Sequence, residues 1–532
     1  MNKKSENFIF FLLIFFSIYC SLVMGMAWDE LYHYELGQNR LKYLFSLGKY
    51  EYQNFIYFAN ISHFPGFYDT ISAFISQMLP RKYEVQIHHL TNLFFSFATI
   101  IGISKISKII FNNNVSKIVF LIAFFNPIFF GHMSINPVDT IIAFSNIWTT
   151  YFIIRYLQTH HLEIKRKYFS TLIGIVIGFG LGTRVIFLAT IIPICLLFFL
   201  DIFLIKIISK KKISISNFFK DSIKIFLIAY IIMVIFWPDV HANILILPFK
   251  HIIASLTDVS YGTSWGLLDG EFYKTINTPR EYLIKNLFYK LPEFILFAYI
   301  FFISLFFYDY KFFEKRFKSF KAKVLYILFI IVFPLIVAFI TSIKLHDGLR
   351  YFLFLIPYLS IIPGLTIYYL IYNSKFLINK IFTFLMLFSF LYFLFVFFSL
   401  TPYHYTYLNK FNGNFSYASK KFENDYWGVS IKELVKKIEK NQILKRNKNY
   451  KIAFCGINYD IGSYYLSKIS NLYFIQTSKD ENYDYIIMTN RHNGKNDDKI
   501  SDVKTCFDSY EGKYILSVKR NGLVLSTIMQ KL

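Results

Sequence analysis

Long apolar blocks recur along most of this chain, and they limit more than any other feature what it can fold into. Each block is about 17 to 25 residues long, the length that crosses roughly 30 Å of hydrocarbon as an α-helix. With 55% of 532 residues hydrophobic and 65 phenylalanines, the chain has more large apolar side chains than a soluble domain of this size can bury. The sequence therefore predicts a polytopic α-helical membrane protein.

We predict eleven membrane-spanning helices. They are 8–27, 86–104, 116–131, 140–157, 168–183, 185–205, 221–237, 292–309, 324–342, 351–372 and 381–400. The stretch 168–205 is too long for one crossing, so we divide it at Gly182-Thr183-Arg184. Residues 64–79 contain Pro65 and Asp69 and are more typical of a helix lying in the membrane interface than of a span.

The basic residues concentrate in alternate short loops, and this pattern predicts the orientation. Basic loops stay preferentially in the cytoplasm, which favours a cytoplasmic N-terminus and a C-terminus on the opposite side. The segments then predicted outside are 28–85, 132–139, 182–184, 238–290 and 343–350. The net charge of +24 is explained by these loops, so we expect no nucleic-acid partner.

The composition changes after Thr401, where the apolar blocks end. We predict a transmembrane domain at 1–400 with outer loops 28–85 and 238–290, an interfacial connector at 401–445, and a small soluble α/β domain at 446–532. Alternating apolar residues predict strands at 451–455 and 485–489. Asn521-Gly522 predicts a hairpin turn between two further strands.

The four cysteines show no metal-binding spacing. Cys20 and Cys195 lie in apolar segments, where a small buried thiol is the simplest explanation. Cys455 and Cys506 share the soluble domain, and they can form a disulfide if that domain lies in an oxidising compartment.

Every loop predicted outside carries a carboxylate, a histidine or an arginine. Asp29-Glu30 directly follows the first span, and two adjacent carboxylates there can bind a cation or remove a proton from a hydroxyl. A solvated helix end is the plainer alternative. The other candidates in these loops are His33, His132, Asn136, Asp139, Arg184, Asp239, His346, Asp347 and Arg350.

Two of these candidates are arginines that suit a phosphate group. Arg184 lies between apolar segments, where an unpaired arginine is costly, and it is therefore a candidate phosphate ligand. Snorkelling to the interface is the alternative. For Arg350, a structural ion pair with Asp347 is the alternative. A carboxylate base together with cationic groups fits transfer from an anionic lipid-linked donor.

The sequence resembles the GT-C superfamily of membrane glycosyltransferases, and more narrowly its dolichyl-phosphate-mannose protein mannosyltransferase-like branch. The motifs that carry the resemblance are Asp29-Glu30, GHMSINPVD at 131–139, GFGLGTR at 178–184, WPD at 237–239, HDGLRYFLFLIP at 346–357 and FENDYWGVSIKE at 422–433. They follow the order seen in the family and cover most of residues 28–433.

The resemblance implies inverting transfer of a hexosyl or pentosyl unit from a polyprenyl-phosphate-linked donor to an acceptor hydroxyl on the periplasmic or luminal side. It implies that Asp29 is the general base and that Glu30 supports it or binds the acceptor. Asp139 would be a second acidic position, and Arg184 and Arg350 would bind the donor phosphate. The expected location is a bacterial inner membrane, with the C-terminal domain in the periplasm.

The sequence departs from the family at one position: Val138 stands where relatives often have lysine. A cation near the donor phosphate is therefore missing or supplied elsewhere. We see no dedicated metal-ligand set, and a divalent cation stays open as a cofactor. We expect the segment 423–428 to pack the connector onto the membrane domain through an interfacial tryptophan.

Two other functions fit a membrane protein with these residues. One is a transporter or flippase for a lipid-linked or anionic substrate, although transporters usually place charges at the midplane and show repeated halves. The other is a relative that binds a lipid-linked glycan without turning it over. The acceptor, whether glycan, lipid or protein, is left open by the sequence.

Overall fold

The computed structural model describes residues 3–50, 64–209, 214–257, 264–341, 343–373, 377–418, 420–445, 447–479, 481–495 and 498–532. The helices up to residue 235 are α1 (Lys3–Val23), α2 (Glu30–Phe45), α3 (Phe67–Gln77), α4 (Glu84–Ile110), α5 (Asn113–Phe124), α6 (Pro127–His132), α7 (Asp139–Thr159), α8 (Glu163–Thr183), α9 (Phe187–Leu200) and α10 (Ile215–Ile235).

The later helices include the last spans and the short helices of the connector and C-terminal domain. They are α11 (Leu247–Thr257), α12 (Tyr282–Lys290), α13 (Glu293–Tyr308), α14 (Tyr310–Glu314), α15 (Phe320–Thr341), α16 (Ile361–Tyr372), α17 (Leu377–Ser399), α18 (Phe415–Ala418), α19 (Ile431–Lys440), α20 (Tyr459–Leu466) and α21 (Cys506–Ser509).

Each of the eleven predicted spans overlaps at least one of these helices. The predicted span 116–131 is broken into α5 and α6, because Asn126 caps α6 by accepting the N–H groups of Ile128 and Phe129, and Pro127 starts it. The division at 182–184 is confirmed, since α8 ends at Thr183 and α9 begins at Phe187. The predicted interfacial segment 64–79 contains α3, whose 11 residues are too short to cross a membrane.

Not every one of these helices meets a strict test of length and composition for a span. Within the described residues, five do: 3–23, 81–110, 187–205, 320–341 and 379–399. A sixth is added if α12 and α13, which meet at a bend of 108°, form one span. The protein thus has several membrane-spanning helices, and the count of eleven stays a prediction.

Small residues let the central helices pack closely, as is common in membrane bundles. A Cβ atom placed on Gly174 or Gly178 of α8 would lie 2.9 Å from Ile228 or 2.8 Å from Ile232 of α10. Gly131 of α6 similarly lies against the backbone of Tyr405 in the connector. Gly174 and Gly178 thus let α8 and α10 pack closely, and Gly131 brings the connector into direct backbone contact with the helix bundle.

The described residues form two β-sheets. A two-stranded antiparallel hairpin of β1 (Trp265–Leu268) and β2 (Glu271–Lys274) lies in the long loop 238–290. The C-terminal domain contains β3 (Asn449–Cys455), β4 (Tyr473–Gln476), β5 (Tyr485–Thr489), β6 (Lys513–Arg520) and β7 (Leu523–Gln530).

The C-terminal strands form one mixed sheet in the order β4-β3-β5-β7-β6. β3 pairs in parallel with β4 and β5, and β7 pairs antiparallel with β5 and β6. Asn521 and Gly522 both have positive φ between β6 and β7, as the predicted hairpin turn requires. A disulfide joins Cys455 at the end of β3 to Cys506 in α21.

Replacing both Cys455 and Cys506 with alanine is expected to lower the free energy of unfolding of the C-terminal domain by about 4 kcal/mol. The reason is that the bond, which spans a sequence separation of 51, no longer restricts the unfolded chain. Chemical denaturation of the purified full chain, followed by pulse proteolysis, measures the change. The matched control is Cys20→Ala/Cys195→Ala, which removes two free thiols and no covalent bond. Equal stability of the two double variants would contradict the prediction.

Candidate functional site

The turn between α1 and α2 places the adjacent carboxylates Asp29 and Glu30 in opposite environments. Glu30 is only 2% exposed; its Oε2 accepts the N–H of Ala27 at 2.6 Å and its Oε1 accepts the hydroxyl of Tyr34 at 2.8 Å. His89 Nε2 lies 3.0 Å from the same Oε1. The Asp29 side chain is 48% exposed. Glu30 therefore holds the turn, and Asp29 is left accessible.

Arg350, in the loop after α15, lies beside Asp29. Its NH1 is 3.5 Å from Asp29 Oδ2, and its NH2 is 3.2 Å from Asp347 Oδ2 and 3.0 Å from His346 Nε2. NH2 also donates to the Tyr351 hydroxyl at 2.7 Å. Three of the predicted residues, His346, Asp347 and Arg350, thus meet Asp29 in one group despite their distance in sequence.

Arg184 and Asp139 extend this group across Tyr351. Arg184 directly follows α8 in an extended conformation, and its NH1 lies 3.8 Å from Asp139 Oδ1. Its guanidinium carbon is 5.8 Å from the centre of the Tyr351 ring and 5.0 Å from that of Phe64. The guanidinium of Arg350 lies 4.6 Å from the same Tyr351 ring. One aromatic ring therefore contacts both predicted phosphate ligands.

His132 and Asn136 are buried, and Asn136 contacts Asp139 directly. Asn136 Oδ1 accepts the N–H of Asp139 at 2.9 Å, and Asn136 Nδ2 donates to Asp139 Oδ2 at 3.0 Å. His132 Nε2 lies 2.9 Å from the Tyr426 hydroxyl in the connector. These contacts orient Asp139 at the start of α7 and attach the connector to the helix bundle.

His33 and Asp239 form a second group around Arg40, which the sequence patterns did not single out. His33 Nδ1 and Arg40 NH1 each lie 3.2 Å from Asp69 Oδ2, and Arg40 NH2 donates to the Phe64 carbonyl at 2.7 Å. Burial lowers the pKa of His33, but the charge of Asp69, its hydrogen bond to His33 and the charge of Asp29 together raise the pKa by more, so that the net pKa is raised. Burial raises the pKa of Asp239, and the nearby Arg40 opposes that rise.

Charged side chains that the sequence analysis missed surround Asp347. Arg491 of the C-terminal domain places NH2 3.6 Å from Asp347 Oδ1, and the N–H of Asp347 donates to Glu423 Oε2 at 3.1 Å. Burial raises the pKa of Asp347, but Arg491, His346 and Arg350 together hold it below its ordinary value. Burial and the charge of Asp347 raise the pKa of Glu423 to about 8.

The segment 423–428, expected to be structural, contributes to both packing and this group. Asp425 accepts the N–H of Val429 at 3.0 Å and the hydroxyl of Ser430 at 2.5 Å, which fixes the connector. Trp427 lies with its ring centre 5.4 Å from the guanidinium of Arg350. Within the described part of the chain, no group of three or more His, Cys, Asp or Glu residues is arranged to hold a metal ion.

Comparisons with known proteins identify the fold. No family model matches the sequence, and no curated protein is similar to it. ArnT from Cupriavidus metallidurans, solved with bound undecaprenyl phosphate, matches with a TM-score of 0.51 and 10% identity over 99% of this chain and 98% of ArnT. Its apo structure matches with a TM-score of 0.50 and 9% identity over the same shares, 99% and 98%.

A third structure is the oligosaccharyltransferase AglB from Archaeoglobus fulgidus, solved with an inhibitory peptide and a dolichol-phosphate. It matches with a TM-score of 0.47 and 9% identity, over 92% of this chain and 70% of AglB. The two ArnT structures show that this chain has the ArnT fold. The polytopic helical membrane fold expected from the sequence is confirmed, and the mannosyltransferase-like branch stays a prediction.

Glu423→Gln is expected to stabilise the protein increasingly as the pH rises from about 5 to about 8. The folded state raises the pKa of Glu423 to about 8. The wild type therefore loses stability as the pH rises from the ordinary pKa of a glutamate to about 8. Glutamine carries no charge and keeps an oxygen for the Asp347 N–H. The thermal midpoint in detergent, measured across this pH range, should exceed that of the wild type by about 1 °C for each kcal/mol gained, given an unfolding entropy of about 2.1 cal/mol/K per residue.

Glu271→Gln is the control for this pH dependence, since Glu271 is exposed on β2. Its thermal midpoint should stay parallel to that of the wild type across the same pH range. A Glu423→Gln curve that also stays parallel would contradict the predicted ionisation of Glu423.

Proposed function

We propose that this protein is a membrane glycosyltransferase that transfers a sugar from a polyprenyl-phosphate-linked donor to an acceptor hydroxyl. The observation that carries the proposal is the accessible Asp29 carboxylate, 3.5 Å from Arg350, with Arg184 against the same Tyr351 ring. This places a base beside two cations. The shared fold with ArnT, whose structure contains undecaprenyl phosphate, supports the lipid-linked donor.

The proposed reaction is a single displacement. The acceptor oxygen forms a bond to the anomeric carbon of the sugar while Asp29 takes the hydroxyl proton. The bond between that carbon and the phosphate oxygen breaks, and its electron pair leaves with polyprenyl phosphate. Attack opposite the leaving group inverts the anomeric configuration. Arg184 and Arg350 would stabilise the negative charge that develops on the phosphate.

Asp29 suits the role of base better than Glu30. A general base must come within hydrogen-bond distance of the proton that it removes. Both oxygens of Glu30 already have partners in a buried setting, whereas nearly half of the Asp29 side chain is exposed. We therefore assign Glu30 to positioning the turn that carries Asp29, in agreement with one of the two roles that the resemblance implies for it.

The same proposal places the reaction on the non-cytoplasmic face, in the periplasm of a bacterial inner membrane. The Cys455–Cys506 disulfide supports this side for the C-terminal domain, because disulfides persist in oxidising compartments. The excess of lysine and arginine in the alternate loops supports a cytoplasmic N-terminus.

Asp29→Asn is expected to reduce sugar transfer by about 10²- to 10⁴-fold, the usual contribution of general base catalysis. Release of polyprenyl phosphate from a labelled lipid-linked sugar measures transfer and separates an enzyme from a transporter. Glu35→Gln is the matched control, since Glu35 is an exposed carboxylate on the same helix as Glu30, and it should keep wild-type activity. Full activity of a folded Asp29→Asn variant would refute the role of Asp29.

Arg184→Ala and Arg350→Ala are each expected to raise the donor KM by about 10- to 100-fold, because a hydrogen bond to a charged group contributes about 1.5–3 kcal/mol. Steady-state kinetics with varied donor and saturating acceptor measure the effect. Arg155→Ala is the control, because Arg155 contacts Gln158 and Phe169 near the C-terminal end of α7, whose first residue is Asp139. A donor KM that stays at the wild-type value would remove the phosphate role from the arginine concerned.

A further inference from the structure

The C-terminal domain contributes a side chain to the buried part of the candidate site. We infer that Arg491 is a positioning residue for the transfer reaction, acting on Arg350 through Asp347 and on Asp29 through Trp28. The inference rests on the proposed function and deepens it, since it makes the C-terminal domain part of the donor-binding machinery.

The first line of evidence is a row of alternating charges. Arg491 NH2 lies 3.6 Å from Asp347 Oδ1, and Arg350 NH2 lies 3.2 Å from Asp347 Oδ2. The NH1 of Arg350 then lies 3.5 Å from Asp29 Oδ2. Asp347 thus faces one arginine with each of its two oxygens. Arg350, on the Oδ2 side, is the arginine proposed to bind the donor phosphate.

Asp347 depends on Arg491 for half of its pairing. Asp347 is 1% exposed, and its Oδ1 accepts no hydrogen bond within the described residues. A buried carboxylate needs compensating charge, and Arg491 is the first of the positive groups that lower the pKa of Asp347 against the effect of burial. Without Arg491, Arg350 would be the one arginine of this pair left beside Asp347. The attraction would then draw Arg350 towards Asp347 and away from Asp29.

The second line of evidence is the set of contacts between the C-terminal domain and the turn before Asp29. The guanidinium of Arg491 lies 4.7 Å from the centre of the Trp28 ring. Asn458 Nδ2 donates to the Trp28 carbonyl at 3.1 Å, and the N–H of Met26 donates to the Tyr465 hydroxyl at 2.8 Å. Three side chains of one domain therefore contact Met26 and Trp28, within the three residues that precede Asp29.

Contacts within the C-terminal domain and with the connector fix the position of Arg491. Its carbonyl accepts the N–H of Cys506 at 2.7 Å, and Cys506 is bonded to Cys455. Its NH1 donates to the carbonyl of Tyr426. Gly456, with φ of +71°, lies beneath it, and a Cβ there would come within 2.9 Å of the Arg491 Cβ. Such a constrained arginine can transmit position to its partners.

A double-mutant cycle tests this inference in the full-length protein. Arg491→Ala is expected to lower kcat/KM for the donor by about 10-fold, within the range of coupling between residues in one ion-pair network. Arg350→Ala/Arg491→Ala is expected to lose less activity than the product of the two single losses, because part of the effect of Arg491 passes through Arg350. Arg491→Lys keeps a positive charge and should recover part of the lost activity.

Arg520→Ala is the matched control for domain docking. Arg520 also lies in the C-terminal domain, donates to the Thr401 carbonyl at 2.8 Å and to Glu433 at 2.6 Å, and stacks on Tyr403 at 5.0 Å. Within the described part of the chain, Arg520 makes no hydrogen bond or ion pair with Asp29, Asp347 or Arg350. Its effect on activity should therefore multiply with that of Arg350→Ala, as expected for separate sites.

The outcomes separate the two proposals. If Arg350→Ala impairs donor use and the effect of Arg491→Ala multiplies with it, Arg491 is merely structural and the inference is overturned while the proposed function stands. If Arg350→Ala leaves transfer unchanged, the phosphate role of Arg350 fails and the inference fails with it. If Arg491→Ala does not fold, Arg491→Lys takes its place in the same cycle, with the same two readings.

Discussion

The buried carboxylate of Asp347, shared between Arg350 and Arg491, is the interaction on which the candidate site depends. A charge removed from water is destabilising by several kcal/mol unless it is well paired. The buried charge of Asp347 therefore depends on both arginines for its stabilisation. Asp347 also has a positive φ of 56° in the turn before Gly348. That turn aims its side chain between the arginines. The membrane domain and the C-terminal domain are thus joined by charge at the same place where Asp29 is held.

The larger features of this fold could be predicted because they follow from simple local rules. Apolar block length predicts helices in a membrane, and Gly182-Thr183-Arg184 marked the end of α8 because that turn interrupts the apolar pattern. Asn521-Gly522 predicted the β6–β7 hairpin from turn chemistry alone. Asn126-Pro127 carries a helix-start signal too, but the surrounding apolar sequence hid the break between α5 and α6.

The candidate site was only partly predictable. Asp29, Arg350 and Asp347 stood out as charged residues next to apolar segments, which is a local property of the sequence. Arg491 and Arg40 did not, because each lies in polar sequence where an arginine is unremarkable, and only tertiary packing buries them. The different environments of Asp29 and Glu30 were also beyond reach, since they depend on His89 and Tyr34 turning towards one carboxylate of the two.

The contact of Arg491 with Asp347 has a consequence for how the protein is made. Asp29 leaves the ribosome about 460 residues before Arg491. The first helices enter the membrane with one half of the charge network already present and the other half still untranslated. The charge network can therefore be completed only after Arg491 has been synthesised. A nascent or truncated chain carries the proposed base and phosphate ligands without the arginine that aligns them.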